Sequence, residues 1–222
     1  MLRELLANAQ RLLTADPKKK LPPPEAESLQ RLRDDPAMVA LAAHLKSGRP
    51  VVAHVQRADD IAALLRVQRE FGLRLVVAGG AEAHVVATDL AAAQVPVILG
   101  PVRARPYDPA NRRARDDAAA ILAKAGVKLA IATADTHNAR HLRWDAGFAV
   151  AHGLDWATAL AAVTRNVADI LGLAQGLRPA TGTVTEGGPA DLLVFDGDPL
   201  GLAAHLRLVV CGGQVEVDPR QR

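Results

Sequence analysis

Two short stretches carry residue types that could do chemistry. In "KLAIATADTHNAR" an apolar run, Leu129 to Thr133, gives way to Asp135, Thr136, His137, Asn138 and Arg140. In "PVVAHVQR" a shorter run reaches His54, followed by Gln56 and Arg57. A histidine from one strand end and a carboxylate from another can converge on a divalent cation. An aspartate beside such an ion can take a proton from bound water and act as general base. The same residues have plainer uses. A lone strand-end histidine is more often a hydrogen-bonded structural group, and Asp135 and Asn138 could cap the next helix.

The elements that would position these groups begin at Pro50. "PVVAHV", "LRLVVAGG", "VPVILGP" and "VKLAIATAD" read as strands, separated by the helical stretches "RADDIAALLRVQREFG", "AEAHVVATDLAAAQ" and "DDAAAILAKAG". Asp59 and Asp60 suit a helix first turn and Gly72 a helix stop, while Asp155 reads as the N-cap of "DWATALAAVTRN" after a helix in "RWDAGFAVAHG". Four such units predict an α/β fold with parallel strands, either an open doubly wound sheet or part of a (β/α)8 barrel. A whole barrel takes roughly 250 residues, so a barrel here would be half of one. Either way, ligands sit beyond the carboxyl ends of the strands, where His54, Gly79-Gly80, Gly100-Pro101 and Asp135 to Asn138 stand. Gly79-Gly80 is not a GxGxxG, so a dinucleotide site has little support.

Before Pro50, "MLRELLANAQRLL" is an amphipathic helix, residues 16–28 with a lysine run and a triple proline read as an exposed loop, and two short helices follow, the second carrying His44. After the helical units, "TGTVTEGGPADLLVFDGDPL" and "LRLVVCGGQVEV" have the short runs and glycine turns of antiparallel strands. Half of the 222 residues are hydrophobic and only 3% aromatic, which suits an aliphatic core of buried parallel strands. The net charge of +3 comes without a basic stripe, so nucleic acid is not expected as a partner. No run approaches the ~18 apolar residues of a membrane span, and with nothing in the chain that reads as an export signal the cytoplasm is the default compartment. Cys211 is alone, so there is no internal disulfide, and it reads as a small buried residue in a late strand. His84, His141, His152 and His205 show no obvious partner and are expected to be non-functional.

Taken in order, "PVVAHVQRADDIAALL", "GLRLVVAGGAEAHVVA", "VPVILGP", "AGVKLAIATADTHNAR", "AVAHGLDWATALAAVTRNVADILGL" and "GTVTEGGPADLLVFDGDPL" resemble the C-terminal half of an amidohydrolase-superfamily protein, close to the imidazolonepropionase-like branch. The resemblance implies a helical lead-in over residues 1–49, half of a (β/α)8 metal-dependent hydrolase barrel (TIM barrel) over 50–178, and the C-terminal strands of a small β-sandwich over 179–222. It implies hydrolysis of non-peptide C–N bonds, in a cyclic amide, imide or related small-molecule substrate, with a divalent metal, zinc first. His54 matches the fifth-strand metal histidine and Asp135 the eighth-strand aspartate that binds metal and carries the proton. Gln56, Gly79, His137, Asn138 and Arg140 would line the pocket. The family's His-x-His pair has no counterpart here, and Gly79 and Gln56 stand where relatives carry histidines. Two ligands remain where catalytic zinc takes three, so the isolated chain is expected to be inactive and to bind metal poorly. The alternative is a degenerate, non-catalytic member serving as a binding or assembly subunit. Half a barrel also exposes two strand edges, which predicts a truncated protein that self-associates or pairs with an N-terminal half to close the barrel.

Overall fold

The computed structural model describes residues 1–16, 18, 20–103, 109–133, 135–173 and 181–217. Three helices lead in: α1 (Leu2–Thr14), α2 (Pro23–Asp34) and α3 (Pro36–Lys46). The stretch expected to be loop up to Ser28 already belongs to α2 from Pro23 onward. Proline fits a first helical turn because its missing N–H would have no partner there. Asp35 caps α3 by accepting from the backbone N–H groups of Ala37 and Met38.

The βα units follow as β1 (Val51–Val55), α4 (Ala58–Phe71), β2 (Leu75–Gly79), α5 (Ala87–Ala92), β3 (Val97–Leu99), α6 (Ala118–Lys124) and β4 (Leu129–Ile131). A 3-10 turn, Ala83–Val86, precedes α5. The helix α4 ends on Gly72 at φ +63°, a left-handed position that glycine takes without strain. The strands pair in the order β1-β2-β3-β4, all parallel. Register decides the two faces. Leu75, Val77, Val97, Leu99, Leu129 and Ile131 point to the helices and form the main core with Ile61, Leu90 and Leu122. His54, Ala78, Ile98 and Ala130 lie in one row on the opposite, concave face.

After β4 come α7 (Leu142–Ala151), α8 (Trp156–Ala162) and α9 (Arg165–Leu171). The single helix expected over "DWATALAAVTRN" is thus two. α9 turns under the concave face, where Ile170 is buried with Val76 and Ala130, and Val167 and Ile98 pack alongside. Asn166 Nδ2 donates to the Leu129 carbonyl at 2.8 Å. No residue of β4 is more than 3% exposed. The expectation of two open strand edges therefore holds for β1 alone, where Val52 is 40% exposed and His54 is also exposed. α9 supplies the cover that a neighbouring strand would otherwise give to β4.

A separate antiparallel sheet, β5 (Leu192–Phe195), β6 (Leu206–Cys211) and β7 (Gln214–Val217), pairs in that order. None of its residues is fully buried, and Cys211 is exposed rather than buried, because among the described residues no second layer covers the sheet. The loop before β6 is held to α7: Arg143 donates to the carbonyls of Pro199, Gly201 and Ala204. The 178/179 boundary expected from sequence lies outside the described residues. No helix among the described residues is long and apolar enough to cross a membrane.

Candidate functional site

The carboxyl end of the parallel sheet is where the sequence placed its chemistry. His54 is on β1, one residue before the strand ends, with its side chain on the concave face and exposed. Asp135 is not at a strand end. β4 stops at Ile131, and Asp135 follows in an exposed turn. There the Asp135 carboxylate lies 2.8 Å from His137 Nδ1, while Thr133 Oγ1 donates to the Asp135 carbonyl at 3.1 Å. A two-residue spacing in a turn brings the aspartate and the imidazole together, so this pair is local and needs no long-range packing. Asn138 precedes the 3-10 turn Ala139–His141 without a side-chain cap bond, and Arg140 Nε reaches His141 Nε2 at 3.3 Å. The capping role open to Asp135 and Asn138 is thus not taken up.

β1 and β4 are the outer strands, three spacings apart along the sheet, roughly 14 Å at about 4.8 Å per spacing. Among the described residues no three His, Cys, Asp or Glu side chains come together as a possible metal site.

The structure gives the physical reason at Gly79, the end of β2. A Cβ built there would lie 2.5 Å from Gln56 Nε2 and 2.9 Å from Gln56 Cδ, and Gly79 has φ +91°. The Gln56 carboxamide fills the space a side chain at 79 would enter, and its Oε1 accepts from Ala81 N at 3.0 Å. The residues present do not fit a metal ion by themselves.

Beside Gln56 and Gly79 a small cavity, also lined by Leu99, Gly100, Asn111 and Arg115, has room for about 20 Å³, the scale of a water molecule. Asn111 Oδ1 is buried there without a hydrogen-bond partner among the described residues. Arg115 is spent on Asp117, with two contacts of 2.7 Å, and the guanidinium holds the Asp117 carboxyl below its usual range. Burial, reinforced by the nearby Arg115, pushes the His84 imidazole below its ordinary pKa of 6.5, and His84 Nδ1 is buried without a hydrogen-bond partner among the described residues. Sequence reasoning set His84 aside, and it missed Asn111 and Arg115 altogether. Their only signal was membership of a loop after β3, a position where parallel α/β folds place ligands.

The four parallel βα units and the separate antiparallel sheet form the α/β architecture expected for half of a (β/α)8 barrel with a small appended sheet. Residues 47–217 match the profile of the Amidohydrolase family, and the chain belongs to that family. A curated relative, Amidohydrolase tasK of Hapsidospora irregularis, is 37% identical over 130 residues, covering 53% of this chain and 13% of that protein. The solved structure of an amidohydrolase from Thermotoga maritima MSB8 superposes with a TM-score of 0.80 at 23% identity, over 98% of this chain and 55% of that one. A prolidase complexed with N-methylphosphonate-L-proline gives 0.58 at 22% identity, over 74% and 44%. The chain therefore spans about half of these structural relatives and a small part of the curated one.

Proposed function

We propose that the chain is the strand-five-to-eight half of an amidohydrolase acting on non-peptide C–N bonds, of the cyclic amide or imide kind, with Asp135 and His137 as its proton-transfer pair. The observation that carries this is the 2.8 Å contact between Asp135 and His137 Nδ1 beyond β4, in a chain of this family. A carboxylate accepting from Nδ1–H orients the imidazole and leaves Nε2 to face the reacting atoms. The pair can thus take the proton of a water attacking the amide carbon and return it to the leaving nitrogen as the C–N bond breaks. The family's metal would polarise the carbonyl oxygen and lower the pKa of water. Among the described residues no set of side chains that would hold it comes together.

A second reading, a non-catalytic binding or assembly subunit, is favoured by the Gln56 amide packed over Gly79. Two measurements separate them. Hydrolysis of a panel of lactams, hydantoins and imides is followed with and without added zinc, and zinc per chain is counted after dialysis. The hydrolase reading expects turnover that falls roughly 100-fold or more in Asp135→Asn and in His137→Gln. Because this half alone is expected to be inactive, turnover is scored with an N-terminal barrel half added; no turnover then, or turnover indifferent to both substitutions, refutes it and leaves the non-catalytic reading.

A further inference from the structure

Among the described residues three buried side-chain polar atoms lack a hydrogen-bond partner: His84 Nδ1, Asn111 Oδ1 and Trp144 Nε1. They stand in the segments that follow β2, β3 and β4, beyond the carboxyl ends of the strands. A buried polar atom left unpaired is costly, and native folds keep few of them. Of the three, Asn111 lines a cavity, the one of about 20 Å³ beside Gln56 and Gly79.

The polar groups around that cavity are set by neighbouring bonds. The Ala81 N–H needs an acceptor, which holds Gln56 Oε1 to it at 3.0 Å and turns Gln56 Nε2 toward Gly79. Gly79 lines the cavity too, so the Gln56 amide nitrogen is a donor at its wall. Asn111 Oδ1 is an acceptor at the same wall. Arg115 bonds Asp117 through Nε and Nη2, which leaves Nη1 as a further donor among the lining residues.

We propose that this cavity binds one ordered water molecule, which donates to Asn111 Oδ1 and accepts from Gln56 Nε2. A buried water needs roughly 10–15 Å³ and two to four polar partners, and the cavity meets both conditions. The mixture of donors and acceptor excludes small ions. A cation would face the Gln56 N–H groups and the Arg115 guanidinium, and an anion would face the Asn111 carbonyl oxygen. Water both donates and accepts, so it satisfies the two sides together. The bridge ties the 3-10 turn Pro109–Asn111, in the loop after β3, to the residue that follows β1. Asn111 is thereby a positioning residue for one side of the mouth above the strand ends. The site does not depend on the Asp135–His137 reading.

The test has two arms, both on the full chain. In crystals diffracting to about 1.5 Å, a density peak is expected roughly 2.7–3.2 Å from both Asn111 Oδ1 and Gln56 Nε2. Bromide or rubidium soaks should give it no anomalous signal. In solution, the side-chain NH2 protons of Gln56 should show an NOE to a long-lived water. Asn111→Leu, close to asparagine in size but without an acceptor, should lose both the peak and the NOE. Asn111→Asp keeps the acceptor and should retain both. A cavity without density at that resolution overturns the proposal, as does an anomalous peak in it. So does an NOE that survives in Asn111→Leu, or one lost in Asn111→Asp while its amide spectrum stays native. Should the leucine variant not fold, the parent crystal and the aspartate variant still decide.

Discussion

Replacing Gly79 by alanine puts a methyl carbon 2.5 Å from Gln56 Nε2 and holds an L residue at φ +91°. The two penalties have different remedies. The backbone strain, about 1–2 kcal/mol, stays whatever Gln56 does. The clash can be relieved if the amide swings away, which gives up its bond from Ala81 N, about 1 kcal/mol. Gly79→Ala is therefore expected to cost about 2–3 kcal/mol, the sum of those two terms. Gln56→Ala removes only the hydrogen bond and should cost about 1 kcal/mol. In the double variant the amide is already gone, so the strain and the lost bond are each counted once, again about 2–3 kcal/mol. The cycle then shows about 1 kcal/mol of coupling, measurable by urea unfolding at constant m-value. Strict additivity, or a Gly79→Ala variant within about 0.5 kcal/mol of the parent, would refute the claim that the amide occupies the side-chain space of position 79.

Two further outcomes follow from ties that hold the C-terminal segment. Arg143→Ala loses three charge-assisted bonds to the carbonyls of Pro199, Gly201 and Ala204. Discounted for partial exposure, the loss should be about 3 kcal/mol by urea unfolding, and Arg143→Lys should recover less than half because an ammonium cannot span three carbonyls in one plane. The Asp196 carboxyl is lowered from 3.8 to about 2, first by the His205 backbone N–H and then by Arg207. Its stabilisation is complete above the unfolded value and disappears as pH falls from about 4 towards 2, so acid unfolding of Asp196→Asn should be shallower in that window. Parallel profiles for the two proteins would contradict this.

Much of the parallel sheet was readable because its signals are local. Runs of buried aliphatic residues mark β1 to β4, Gly72 stops α4, and Asp155 caps α8 by accepting from Thr158 N at 3.0 Å. The places where the reading slipped are those that depend on a neighbour. The fourth strand runs only from Leu129 to Ile131, so Asp135 stands in a turn rather than at a strand end. α9 was missed as a separate helix, because a helix end between Ala162 and Arg165 carries no glycine or proline signal. Cys211 was expected inside because apolar strands usually have a covering layer, and here none is present among the described residues.

For the candidate site the division is sharper. Which groups stand beyond the strands was legible in the sequence, whereas the turn that brings Asp135 to His137 was not. The resemblance added the expectation that Gly79 and Gln56 stand where relatives carry histidines. The fold alone showed that Gln56 and Gly79 are coupled, since the space of a side chain at 79 is the space the Gln56 amide fills. It alone placed α9 under the concave face and over β4, and brought Arg74 and Lys128 to Asp169. Residue types and short spacings are properties of the chain, whereas which surfaces are covered, and which polar groups meet, depends on segments nearly a hundred residues apart, 95 in the case of Arg74 and Asp169.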